Sequence, residues 1–147
     1  EQNSDQALWP KDVKQRVRAR CISAEMHSGF SSLRNACGMN IRANLEDVGK
    51  HLWQDNAELR HDVARIEQIW SERPDMNGFL WGEFSIADAF YAPVVTRLMT
   101  YVLPVSKSTQ QYMQTMMQHP AMKLWIDGAL QEKAWVNYLE PYQQQTL

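Results

Sequence analysis

The sequence feature that most constrains the fold is a helix start followed by a run without charge. Ser85-Ile86-Ala87-Asp88 is a capping-box pattern, in which the side chain of each end residue bonds to the backbone N–H of the other. The residues after it, Ala89 to Val95, carry no charged side chain. A helix that is apolar on all sides is stable when other elements surround it. The sequence therefore predicts a buried central helix that begins at Ser85.

The rest of the chain also has the pattern of helices. Gly and Pro number only 6 each, and no alternating strand pattern stands out. Apolar residues at helical spacing predict a first long helix over about 12–37, capped by Asp12, and a second over about 45–73. Two shorter helices are predicted after the central one, the second of them opening at Pro120. The fold class is therefore all-α, a bundle of about five to six helices around the central capped helix.

Size and charge exclude several classes of protein. The 147 residues have the length of one domain, and 15 basic against 17 acidic side chains give a net charge of −2, unlike the basic face of a nucleic-acid binder. No apolar run reaches the ~20 residues that span a bilayer. Cys21 and Cys37 are too few and too far apart for a disulfide scaffold, and the histidines lack metal-ligand spacing. We expect a cytoplasmic protein without a nucleic-acid, membrane or metal partner.

Two segments resemble one known family. Gly78 to Ala89, which reads GFLWGEFSIADA, resembles the F-L-x-G-x-x-x-S-x-A-D segment of glutathione transferase C-terminal domains. Ala24 to Arg34, followed by Met39 to Arg42, resembles the first long helix and the following loop of cytosolic bacterial transferases of beta-like or zeta-like type. The resemblance extends over about residues 8–136, which is most of the chain.

The resemblance implies a two-domain enzyme of which this chain is the second domain. Residues 1–10 would be the interdomain linker and 11–147 the helical domain, and the first residue, Glu1 rather than Met, also leads us to expect a longer protein. A thioredoxin-like first domain would hold glutathione and the Ser, Cys or Tyr that stabilises its thiolate. The helical domain would bind a small apolar electrophile beside that thiolate, for conjugation or isomerisation. We expect the 147-residue chain alone to be inactive.

The same resemblance implies the biological setting of such an enzyme. We expect a cytoplasmic homodimer that serves detoxification, with glutathione as a co-substrate and no tightly bound cofactor. A second interpretation remains open, because related proteins in translation and stress response use this fold as a non-catalytic dimerisation or assembly module. A thioredoxin-like pattern upstream of Glu1, with a Pro-rich glutathione loop, would favour the enzyme.

Candidate site residues cluster on the first predicted helix. If that helix is continuous, His27 and Phe30 share a face, and Arg20 and Arg34 each lie seven residues from His27. Such a mixed polar and aromatic face suits a pocket better than a pure core. The resemblance implies that the acceptor is bound by His27, Ser28, Phe30 and Met39, and that His27 is also accessory to catalysis. It implies that Arg20 and Glu25 contact the glutathione of a neighbouring subunit. Ser85 and Asp88 are assigned the structural role of the capping box. No residue of this chain is predicted to be the catalytic nucleophile or a metal ligand.

Overall fold

The computed structural model describes residues 8–134, and the regular secondary structure of this part of the chain is helical apart from two isolated bridges in the loop at 79–83. The predicted all-α class is confirmed for the described residues. Seven helices lie along them: α1 (Val13–Ser28), α2 (Ser31–Ala36), α3 (Glu46–Asp55), α4 (Ala57–Trp70), α5 (Ile86–Thr100), α6 (Lys107–Gln118) and α7 (Pro120–Gln131). The predicted linker over 1–10 and the predicted domain over 11–147 both extend outside the described residues.

The prediction of five to six helices is wrong for the described residues, because each of the two long helices is broken. The first ends at Ser28, where an extended residue and then left-handed Phe30, with φ 54°, interrupt the helical backbone. The second breaks at Asn56, whose side-chain oxygen accepts from the N–H of Leu59 at 2.9 Å and so starts α4. A short polar side chain that bonds to its local backbone favours a new helix start over helix continuation.

Helix α5 is the buried central helix that the sequence predicts. It packs against α1 on one side and α6 on another, and most of its residues between Ala87 and Thr100 are buried. The ring of Tyr91 lies edge-on to Trp70 at 5.9 Å between centroids, and Trp70 lies 4.5 Å from the ring of Tyr112. Aromatic pairs at these separations add stability beyond the burial of their area. The three rings join α4, α5 and α6 into one core.

The loop between α2 and α3 is held by the C-terminal end of α5. The Thr100 hydroxyl donates to the carbonyl of Asn40 at 2.6 Å, and the N–H of Leu45 donates to the carbonyl of Thr100 at 2.8 Å. Gly49 in α3 lies so close to α5 that a Cβ there would be 1.8 Å from the carbonyl oxygen of Tyr101. Only glycine permits this approach. The loop is therefore fixed beside the core.

The described end of the predicted linker is docked on the central helix. The carbonyl of Leu8 accepts from the N–H of Ile86 at 3.0 Å. Ile86 is the first residue of α5, so its N–H has no acceptor inside the helix. Trp9 is half-buried and packs against the core. The chain thus enters the domain at the start of its most buried helix.

Candidate functional site

The capping box predicted at the start of α5 is confirmed. One carboxylate oxygen of Asp88 accepts from the N–H of Ser85 at 2.9 Å and from its hydroxyl at 3.0 Å. The other oxygen accepts from the N–H of Leu80 and from the hydroxyl of Tyr112, both at 2.9 Å. Asp88 therefore does more than cap a helix, because it also joins the start of α5 to the preceding loop and to α6.

Burial sets the electrostatics of this network. Asp88 is fully buried, and burial raises the pKa of its carboxyl, although the hydrogen bonds from Leu80, Ser85 and Tyr112 act in the opposite direction. Burial also raises the pKa of Tyr112 well above its ordinary value. The guanidinium of Arg73 lies 4.9 Å from the centroid of the Tyr112 ring, and burial lowers the pKa of Arg73. Both oxygens of the buried Asp88 carboxylate already accept hydrogen bonds within the domain, so Asp88 stabilises the fold and does not face a ligand.

His27 and Ser28 form the last turn of α1, and both are exposed. The Ser28 hydroxyl donates to the carbonyl of Ala24 at 2.9 Å. The carbonyl of His27 accepts from Nη1 of Arg34 at 3.0 Å. The His27 imidazole thus lies at the surface of the described domain, where a ligand or a second domain can reach it. The structure brings His27, Ser28 and Arg34 together at one helix end.

The shared face predicted for His27 and Phe30 is not formed, because α1 ends between them. The Phe30 ring is buried and lies edge-on to Tyr91, with 6.5 Å between the centroids. The left-handed backbone costs a bulky residue about 1–2 kcal/mol, which burial of the ring offsets. Ser23, one turn before His27, is buried, and its hydroxyl donates to the carbonyl of Ala19 at 2.8 Å. A role for Phe30 in acceptor binding stays a prediction.

Arg20 and Glu25, the residues predicted to contact glutathione, each have a partner within the domain. The Glu25 carboxylate accepts two hydrogen bonds from Arg65, one from Nε at 2.6 Å and one from Nη2 at 2.9 Å. The hydrogen bonds that Arg65 donates to Glu25 raise the pKa of Arg65. The guanidinium of Arg20 lies 5.5 Å from the centroid of the Trp9 ring, within the range of a cation–π contact. A glutathione contact through Glu25 would have to share this carboxylate with Arg65.

Met39 lines a cavity of about 570 Å³ between the α2–α3 loop and α7. Small-molecule sites typically measure ~300–1,000 Å³, so the cavity has the size of a ligand site. The side chain of Arg42 donates to the carbonyl of Glu132, which joins the loop to the end of α7. The lining residues come from the loop and from two turns of α7; the main ones are Met39, Ile41, Arg42, Leu124, Trp125 and Gly128.

Sequence reasoning missed the contribution of α7 to this cavity. The structure leaves Trp125 36% exposed and against the cavity, beside Leu124 at 76%. The available signal was Gly128, which lies one turn beyond these residues inside the helix. Apart from its chain neighbours and the backbone of its own helix, no atom lies within 4 Å of the position that a Cβ on Gly128 would take. A helical glycine near exposed apolar side chains indicates open space.

The described residues contain no group of three or more His, Cys, Asp or Glu that could hold a metal ion. None of the helices in this part of the chain is long and apolar enough to cross a membrane. Cys21 is exposed, whereas Cys37 is buried and burial raises its pKa to about 12. The Cys37 thiol is therefore protonated at neutral pH and is a poor nucleophile.

The fold and the site define a class of protein: an all-α domain with a buried capped central helix and a ligand-sized cavity beside its last helix. A sequence model of the family described as "Glutathione S-transferase, C-terminal domain" matches residues 34–128, which is more than half of the chain. The chain belongs to this family. The comparison with curated proteins found no match. The predicted family is thus confirmed, whereas the bacterial beta-like or zeta-like type stays a prediction.

Proposed function

We propose that this domain forms the acceptor-substrate wall of a glutathione transferase that conjugates or isomerises electrophiles. A thioredoxin-like domain of the same protein would bind glutathione and lower the pKa of its thiol. The helical domain would hold a small apolar electrophile beside the thiolate, so that proximity and orientation accelerate the reaction. The enzyme would be a cytoplasmic homodimer that removes reactive electrophiles. Family membership supports one part of the proposal, namely that this is the C-terminal domain of a glutathione transferase-like protein.

The observation that carries the proposal is the cavity beside α7. Its volume of about 570 Å³ suits a small molecule, and its wall combines the flexible side chain of Met39 with the flat ring of Trp125. Methionine adapts to ligands of different shape, which suits an enzyme that accepts several electrophiles. His27 and Ser28 do not line this cavity; they are exposed at the end of α1 and are proposed to orient or polarise the acceptor from there.

The test uses the full-length protein with glutathione and a panel of electrophilic acceptors. Met39→Ala and Trp125→Ala should each raise KM for apolar acceptors about fivefold, because each removes apolar contact worth about 1 kcal/mol. KM for glutathione should stay within about twofold. Met76→Ala is the matched control, because Met76 is also partly exposed but does not line the cavity. Equal kinetics for the parent and both cavity variants, across the whole panel, would contradict the assignment.

The division of labour between domains has its own test. The purified 147-residue chain should show no glutathione conjugation, because the proposal places thiol activation in the other domain. It should still bind an apolar fluorescent probe such as anilinonaphthalene sulfonate, more weakly after Trp125→Ala. Conjugation by the isolated chain would refute this part of the proposal.

A second candidate, the non-catalytic dimerisation or assembly module, is favoured by one observation. Val13 and Val17 lie one turn apart on α1 and are 62% and 57% exposed. Two large aliphatic side chains exposed on adjacent turns suit a contact with another surface. Sedimentation of the full-length protein and of a Val13→Glu/Val17→Glu variant would test this. A dimer that depends on the valines, in a protein inactive toward every acceptor, would favour the module over the enzyme.

A further inference from the structure

The end of α1 combines a close-packed glycine with a left-handed residue. Gly29 follows the helix with an extended backbone, and its N–H donates to the carbonyl of Glu25 at 2.7 Å. A Cβ on Gly29 would be 2.7 Å from that same carbonyl oxygen, so a larger residue would force the backbone to shift. Phe30 then takes a left-handed conformation that bulky residues rarely adopt. Such a conformation persists where the surroundings determine it.

The surroundings on the buried side are the contacts of α2 with α4. The N–H of Leu33 donates to a carboxylate oxygen of Asp62 at 2.9 Å, and the Ser32 hydroxyl donates to the side-chain oxygen of Asn56 at 3.2 Å. The Phe30 ring adds its burial against Tyr91. These contacts hold α2 against α4 and α5, so α2 is a support for the side chains that it carries.

Arg34 extends from this support back to α1. Its Nη1 donates to the carbonyl of His27 at 3.0 Å, and the Arg34 side chain is exposed. The last four carbonyls of a helix have no N–H donor within the helix, and a cation at a helix C-terminus also suits the helix dipole. The contact therefore restrains the last turn of α1 at the residue that presents the candidate imidazole.

We infer that Arg34 is a positioning residue, which fixes the last turn of α1 and thereby the direction in which the His27 imidazole is presented to the acceptor. The inference rests on the proposed function, in which His27 contacts the acceptor. Because Arg34 is exposed and bonds to a backbone carbonyl, its effect on activity should pass through His27 and not through the core.

The matched control is Arg60, which makes the same kind of contact at another helix end. Its Nη1 donates to the carbonyl of Gln54 at 2.9 Å and also to that of Trp53, in the last turn of α3. Arg60→Met removes a cation and a helix-end contact just as Arg34→Met does. A general structural effect of losing such an arginine would appear in both variants, whereas a positioning effect at His27 would appear in one.

The kinetic test uses the full-length protein. Arg34→Met should lower kcat for acceptors three- to tenfold, with KM for glutathione within twofold, and Arg34→Lys should recover at least half of the loss. Arg34→Met should have no further effect in a His27→Ala background, and Arg60→Met should leave kcat unchanged. If His27→Ala lowers kcat and Arg34→Met does not, or if the two effects multiply, the positioning role is refuted while the proposed function stands.

A second measurement is independent of activity. In the 147-residue chain, Arg34→Met should shift the NMR signals of the His27 ring and leave those of His61 in place, whereas Arg60→Met should leave the His27 ring unchanged. Unchanged His27 signals in Arg34→Met would overturn the inference. Shifted signals together with normal kinetics in His27→Ala would instead retain the positioning contact and remove His27 from the proposed function.

Discussion

Replacing Asp88 by Ala tests whether one buried carboxylate holds the start of the central helix. Asp88 accepts hydrogen bonds from the backbone of Ser85 and Leu80 and from the hydroxyls of Ser85 and Tyr112. The variant leaves all of these donors without their acceptor in a region that excludes water. The Ser85 hydroxyl can rotate toward another acceptor, whereas the two backbone N–H groups and the Tyr112 hydroxyl have little freedom to do so.

The magnitude follows from these contacts. A buried donor left unpaired costs about 1–3 kcal/mol, and three such donors remain. Burial raises the pKa of the Asp88 carboxyl, so removal of this charge recovers part of its desolvation cost. We expect Asp88→Ala to lower the free energy of unfolding by about 3–4 kcal/mol. Ser85→Ala, which leaves the carboxylate in place, should cost about 1–2 kcal/mol.

The assay is urea unfolding of the 147-residue chain, followed by far-UV circular dichroism and by tryptophan fluorescence. Asp47→Ala is the control, because Asp47 also lies in the first turn of a helix but its side chain is 92% exposed and pairs only with exposed Lys50. It should leave the midpoint almost unchanged. An Asp88→Ala variant as stable as this control would refute the reasoning. A Tyr112→Phe/Asp88→Ala double variant should be more stable than the sum of the single effects predicts, since both remove the same bond.

Three further predictions concern other parts of the fold. Gly49→Ala should unfold the domain or destabilise it by more than about 2 kcal/mol, whereas Gly128→Ala, in open space within α7, should stabilise it by up to about 1 kcal/mol, both measured by urea unfolding. A thiol reagent such as dithionitrobenzoate should label Cys21 rapidly in the native chain and Cys37 only after unfolding; rapid labelling of both would contradict the burial. The hydrogen bond that Arg18 donates lowers the pKa of Glu72, so this ion pair contributes stability that is present above the unfolded pKa and is lost as pH falls through the folded pKa. Glu72→Gln should remove that part of the acid dependence below the ordinary glutamate pKa, measured by urea midpoints at each pH.

The α5 start was predictable because its signals are local. Ser85 and Asp88 are three residues apart, and the uncharged run beside them indicates burial without knowledge of any partner. The N-terminal cap of α1 is equally local, since Asp12 accepts from the N–H of Gln15 at 2.9 Å. Such contacts depend on the chain within one helical turn, so composition and spacing reveal them. The hydrogen bond that the Tyr112 hydroxyl donates to Asp88, 24 residues earlier in the chain, could not be predicted from the same pattern.

The helix breaks were predicted incorrectly for a physical reason. Apolar spacing continues across Gly29 and Asn56, and neither residue forbids a helix, so periodicity alone favours continuity. The break before Phe30 becomes favourable only when its ring is buried against Tyr91 and α2 is bonded to α4. These are gains of tertiary packing, which override a weak local preference.

The sequence by itself therefore determined the helical class and the buried, capped central helix, because these follow from local hydrogen bonding and from the pattern of charge along the chain. The family was indicated by the resemblance of two segments to known members. The tertiary structure alone decided which candidate side chains are available. It binds Glu25 to Arg65, 40 residues away, buries Phe30, leaves His27 at the surface beside Arg34, and opens a cavity between Met39 and α7. Contacts between residues distant in sequence depend on how whole helices pack, and no spacing rule specifies that packing.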